Sequence, residues 1–168
     1  MNPTFRPSAC IAGLLLLIVG TFVLFHPPEL LAAHQGVSFK TTDGGRIYGN
    51  LDGTGDHAVV LAHGAIFDKE SWRSQAISMS AAGLSVLAID FRGYGKSVSG
   101  TAGRALHLDI LAAMEYLKAQ GKKRVSLVGG SMGGSAVAEA VIAAKPGSVD
   151  RVILLAAGSV DEPAKLHG

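Results

Sequence analysis

The chain has almost no cysteine. Cys10 is the one thiol in 168 residues, which excludes an internal disulfide and any zinc site built on paired cysteines. It opens an apolar stretch instead of following one, the wrong side for a lipoprotein-type acylated cysteine. Charge is scarce as well. Asp, Glu, Lys and Arg make up 17% of the chain and the formal net charge is +2. That is low for a soluble domain, and it excludes the strong positive field by which proteins hold nucleic acid. The basic residues are scattered apart from Lys122-Lys123-Arg124, a triplet expected to close a helix end and solubilise a turn. Internal repeats and low-complexity segments are absent.

The phosphate-binding motifs are incomplete. Gly95-Lys96-Ser97 looks like the end of a P-loop, but that loop needs a glycine where Asp90 stands and a helix directly after Ser97. Gly129 to Gly134 fails as a dinucleotide fingerprint because its second required glycine is Ser131. No metal and no cofactor is expected.

What is present begins with an apolar N-terminus. Residues 9–25, ACIAGLLLLIVGTFVLF, carry no charge and follow Arg6. His26-Pro27-Pro28 then stops a helix, since proline lacks an N–H and clashes with the preceding turn. The length lies between a signal-peptide core and a short membrane span. Residues 1–33 are therefore expected to be a hydrophobic helix, either a cleaved signal peptide or a retained membrane anchor. Arg6 on the short side favours an N-inside orientation, with the remaining residues outside the cytoplasm.

Residues 34–168 alternate strand and helix patterns. Residues 37–41 and 46–51, joined by Asp43-Gly44-Gly45, predict a hairpin. Residues 58–62 are a continuous apolar run, the pattern of a strand buried on both faces; 84–89 is the next buried strand, and 125–128 and 152–155 are further strands. Between them lie helical spacings: Trp72, Ala76 and Met79 on one face, then Leu106, Ile110, Ala113, Met114 and Leu117, and then 132–145 before Pro146. This order predicts an α/β fold with a mostly parallel sheet and helices on both faces.

One stretch carries chemistry. Gly129-Gly130-Ser131-Met132-Gly133 sits between a buried strand and a small-residue helix. Side chains two positions either side of Ser131 would collide across a sharp turn, so Gly129 and Gly133 suit it. Such a turn lifts the Ser131 hydroxyl above the sheet edge and leaves the Met132 N–H free at a helix N-terminus.

Three ordered segments then resemble the α/β-hydrolase superfamily, most closely its esterase, lipase and serine-aminopeptidase-like members. They are His63-Gly64-Ala65, the loop Asp90-Phe91-Arg92-Gly93-Tyr94-Gly95-Lys96-Ser97, and the Gly129-Gly130-Ser131-Met132-Gly133-Gly134 elbow. The resemblance implies that Ser131 is a nucleophile toward an ester, thioester or amide of a small-molecule or acyl substrate. It implies an oxyanion hole made by the Ala65 and Met132 N–H groups. It further implies that His63 shapes its loop and that Asp90, too early in the chain for a triad acid, braces its own loop. Trp72 is expected in the core and His107 on the surface.

A serine of this kind needs a histidine to take its proton and a carboxylate to orient that histidine. In the superfamily both usually follow Ser131 on later strands. Six strands are predicted here. Asp161 and Glu162 follow the sixth at the correct edge, so Asp161 is a candidate acid, while His167 has no strand to return it to Ser131. The hydrolase fold is therefore expected to be incomplete. The chain reads as a piece of a longer gene product, as a truncated inactive one, or as one that acts with a second chain or as a non-catalytic membrane-tethered binding domain.

Overall fold

The computed structural model describes residues 34–157. The apolar segment at 9–25, Cys10, Asp161, Glu162 and His167 lie outside the described residues. Six strands form one sheet: β1 (Gln35–Lys40), β2 (Arg46–Asp52), β3 (His57–Ala62), β4 (Ser85–Asp90), β5 (Arg124–Gly130) and β6 (Val152–Leu155). Their order is β1-β2-β4-β3-β5-β6. The β1–β2 and β2–β4 pairs are antiparallel, and the other three pairs are parallel. The sheet is thus mixed but mostly parallel.

The central strands read as apolar runs because helices cover both of their faces. On one side α1 (Arg73–Ala81), entered through a 3-10 turn at Lys69–Trp72, packs Ala76 and Met79 over Val59, Leu61, Val86 and Val128. On the other side lie α2 (His107–Ala119) and α3 (Met132–Ala143). They bury Ile110, Met114, Leu117, Val137 and Ala140 against Val60, Leu87, Ile89 and Leu127. The basic triplet does tie a turn: Lys122 donates to the carbonyls of Thr54 and Gly55, and Lys123 pairs with Asp56. His107 is half-buried and not simply on the surface, because it spans the two helices to reach Glu139 at 3.4 Å.

Parallel strands bring the ends of β3, β4 and β5 to one edge, and the loops after them share it. The loop after β4 is pinned by a buried cation. Arg92 is 4% exposed, and its guanidinium meets Asp109 Oδ1 at 2.7 Å and Asp43 Oδ2 at 2.9 Å. Its backbone N–H also donates to Asp109 Oδ2 at 2.9 Å. One side chain therefore joins the β1–β2 turn, the β4 loop and the first turn of α2. Burying such a charge is tolerable only because its donors are matched this fully.

The two carboxyls respond in opposite directions. The hydrogen bond from Arg92, helped by Thr41, holds Asp43 well below the ordinary carboxylate range. Burial pushes Asp109 up, against the pull of the same guanidinium. A lowered folded value means that Asp43 stabilises the fold above its ordinary value of 3.8 and loses that contribution as pH falls through the folded value. The Asp109 shift has the opposite sign and relieves a cost on acidification. Asp43→Asn is expected to cost about 1–3 kcal/mol near neutrality. Its melting temperature should also change less than the wild type's between about pH 4 and pH 2. Thermal unfolding followed by circular dichroism across that range checks both.

Candidate functional site

The turn from β5 into α3 places Ser131 at φ 50° and ψ −116°, a region that non-glycine residues rarely occupy. Contacts on several sides hold it there. Ser131 N–H donates to the Leu155 carbonyl on β6 at 2.8 Å. A Cβ on Gly129 would lie 2.3 Å from the Gly133 carbonyl oxygen, and one on Gly133 would lie 2.3 Å from the Ala62 carbonyl oxygen. Both contacts are to backbone, which cannot swing aside. Their closeness draws α3 down onto the end of β3. Met132 is the first residue of α3, so its N–H has no acceptor within the helix.

The segment after β3 lies alongside. A Cβ on Gly64 would sit 3.6 Å from the Ser131 Cβ. His63 is 1% exposed, and both of its ring nitrogens are engaged. Nε2 takes the Phe91 N–H at 3.3 Å, and Nδ1 bonds the Gly64 carbonyl at 2.8 Å. An N–H can only donate, so Nε2 is the acceptor and Nδ1 carries the proton. That carbonyl also accepts from Phe67 N–H at 3.1 Å. It belongs to the peptide unit whose other end is the Ala65 N–H. A trans peptide is planar, so fixing its C=O fixes the opposite direction of its N–H. His63 thus shapes the loop and has no nitrogen left for Ser131.

Asp90 does more than brace its own loop. Its carboxylate accepts from Lys69 N at 2.9 Å and Lys69 Nζ at 2.7 Å, anchoring the start of the 3-10 turn. Burial alone would lower the Lys69 ammonium, but the Asp90 hydrogen bond and charge outweigh it and raise it. Its own loop is held through its backbone: Ser97 Oγ donates to the Asp90 carbonyl and accepts from Tyr48 N–H. Trp72 packs on the core as expected, but it also walls a cavity. That cavity, about 360 Å³, is lined by Phe67, Trp72, Gly130, Ser131, Leu155 and Ala156 among others.

Sequence reading passed over Arg92, Asp109 and Tyr94 as individual residues. Their signal was a charged or polar residue inside an otherwise buried motif. It also passed over a second serine, histidine and aspartate set at the opposite sheet edge. There His57 Nε2 meets Ser126 Oγ at 2.8 Å and Asp150 Oδ2 at 3.6 Å. Both partners share one nitrogen, whereas a triad uses the two ring nitrogens for two partners. The set is a bond between strands. Among the described residues, no histidine ring or carboxylate bonds the Ser131 hydroxyl. No group of three His, Cys, Asp or Glu side chains among them is placed to hold a metal ion.

Comparison with known proteins agrees with this geometry. A profile described as the alpha/beta hydrolase family matches residues 59–167, more than half of the chain. A 2-hydroxy-6-oxononadienedioate/2-hydroxy-6-oxononatrienedioate hydrolase of Burkholderia vietnamiensis is 37% identical over 121 residues, which cover 68% of this chain and 41% of that protein. An esterase from Exiguobacterium antarcticum superposes with a TM-score of 0.64 at 28% identity, over 73% of this chain and 46% of the esterase. An epoxide hydrolase from an endophytic Streptomyces gives 0.63 at 30% identity, over 73% of this chain and 37% of that structure. The chain spans less than half the length of each.

Gly133→Ala is expected to lower stability by about 1–3 kcal/mol, because the added methyl meets fixed backbone. Gly36→Ala is its control, since a Cβ there meets nothing within 4 Å. Urea unfolding of the two variants beside the wild type checks the difference.

Proposed function

The chain belongs to the alpha/beta hydrolase family, and from that premise we propose that it is the nucleophile-bearing part of a serine hydrolase acting on esters, thioesters or amides. The observation that carries this reading is Ser131 at φ 50° on a strand-to-helix turn, beside a helix N-terminus and against Gly64. Ser131 Oγ adds to the substrate carbonyl and gives its proton to a base. The Met132 and Ala65 N–H groups take the negative charge that develops on the carbonyl oxygen. The leaving group departs with the proton, and water then releases the acid from the acyl-enzyme. The base is a histidine supplied from outside residues 34–157, and Asp161 remains the candidate acid.

Chemistry decides between the two kinds of solved relative. A serine oxygen that opened an epoxide would form an ether, which has no carbonyl for water to attack. An acyl-serine is an ester and turns over. Ser131 therefore favours the esterase side. The cavity beside it favours an uncharged, apolar acyl group. Phe67, Trp72, Leu155 and Ala156 form walls in which no lysine or arginine among the described residues takes part. The dioate in the Burkholderia relative's name carries two carboxylates, and the described part of this wall offers them no lysine or arginine.

The rival reading is a tethered binding domain that keeps the elbow without its base. A fluorophosphonate probe on the full-length gene product separates the two. One label that disappears in Ser131→Ala is expected, and an unlabelled protein, or label surviving that change, would sink the hydrolase reading. The apolar stretch at 9–25 supports a protein held at or exported across a membrane. Alkaline phosphatase needs the disulfides that form outside the cytoplasm. Fused after Ala33, it is expected to be active, and an inactive fusion would place the domain inside.

A further inference from the structure

The hydroxyl of Tyr94, on the loop after β4, reaches both segments that flank Ser131. It donates to the Ala65 carbonyl at 2.8 Å and lies 3.7 Å from Met132 Sδ. Its ring meets the His63 ring edge-on, with centroids 4.7 Å apart. From this juxtaposition we infer that Tyr94 is a positioning residue: its hydroxyl sets the spacing and direction of the two oxyanion donors without touching the reacting atoms.

The physical argument has three steps. Ala65 sits between two peptide units. The first is held by His63 through the Gly64 carbonyl, and the second is the one whose carbonyl Tyr94 holds. With both planes fixed, the Ala65 φ and ψ are fixed too, and its N–H cannot drift. Without the hydroxyl, the second plane is free to rotate. The one other bond across this turn, Phe67 N–H to the Gly64 carbonyl, ties its ends and leaves its central peptide to Tyr94, with Ile66 88% exposed and Phe67 54%. The second step concerns the partner donor. The same hydroxyl touches the Met132 side chain, so the loop and the start of α3 are held at one separation. The third step is the anchor itself. Tyr94 N–H donates to the Phe91 carbonyl, Ser97 N–H donates to the Tyr94 carbonyl, and Arg92 locks that loop to α2. The tyrosine therefore reaches out from a rigid base to the peptide between Ala65 and Ile66, in a turn whose ends are bonded.

Oxyanion donors act on the transition state and hardly on the bound substrate. The inference rests on the serine-hydrolase reading, so its test begins with a substrate whose hydrolysis by the full-length gene product is abolished in Ser131→Ala. Tyr94→Phe keeps the ring against His63 and removes one partly exposed hydrogen bond, a loss that leaves a fold standing. Its kcat is expected to fall by about tenfold with KM within about twofold, and affinity for a trifluoromethyl ketone, which forms the tetrahedral adduct, should fall by a similar factor. Hydrogen exchange at 64–68 should accelerate in the variant, a readout that does not need turnover. An unchanged kcat with unchanged exchange would overturn the role of Tyr94 and leave Ser131 chemistry intact. So would a rise in KM alone with the ketone affinity unchanged, since that marks substrate contact. Activity that survives Ser131→Ala would instead remove the reading on which the inference stands.

Discussion

Ser131 is held at a positive φ by contacts on several sides, and the arrangement of the site follows from how that turn is kept closed. A residue in this region costs about 1–3 kcal/mol and persists only where its surroundings over-determine it. Here they do. The Leu155 carbonyl takes its N–H, the Gly129–Gly133 approach leaves no room for a side chain, and Gly133 rests on the Ala62 carbonyl. That last contact matters most for chemistry. It makes the nearness of α3 to the end of β3 a matter of backbone contact, so the segment that begins at His63 lies next to the serine whatever the side chains do.

A second layer of restraint comes from polar side chains bonded to backbone and to one another. Arg92 joins three segments through Asp43 and Asp109, Asp90 holds Lys69, and His63 holds the Gly64 carbonyl. Arg92, Asp109, Asp90 and His63 are all buried. Each would be costly if unpaired, and each pairing has at least one end in a loop or turn. The loops at this edge are thus specified by charge and hydrogen bonding, while the sheet is specified by apolar contact. That division lets a glycine-rich loop such as 90–103 hold one shape without a core of its own.

Much of this was legible in the sequence, and for different reasons. The buried strands could be read because β3, β4 and β5 are covered on both faces and so are apolar over most of their length. β6 has the same composition, Val-Ile-Leu-Leu, yet its side chains are 40–51% exposed. Composition reports what a strand is suited to, not what covers it among the described residues. The elbow could be read because steric demand at Ser131 falls on its immediate neighbours, which are glycines. Tyr94 and Asp109 could not be read, because their partners lie 29 and 17 residues away. No periodicity links such pairs, and only the fold brings them together.

The site also divides by the kind of atom it uses. In the proposed reaction charge stabilisation relies on backbone N–H groups, which any sequence possesses once the turn and the loop are in place. Proton transfer relies on particular side chains, and none of the described ones reaches the Ser131 hydroxyl. The two halves therefore place different demands on the chain. The first must be held still, which is why histidine, tyrosine and arginine serve here as braces instead of reagents. The second must be poised to gain and lose a proton, so its base cannot have both ring nitrogens committed as those of His63 are. A histidine close to the serine is thus excluded as its base by its hydrogen bonds. On the serine-hydrolase proposal the base is instead a ring that keeps one nitrogen open toward Ser131 and the other bonded to a carboxylate.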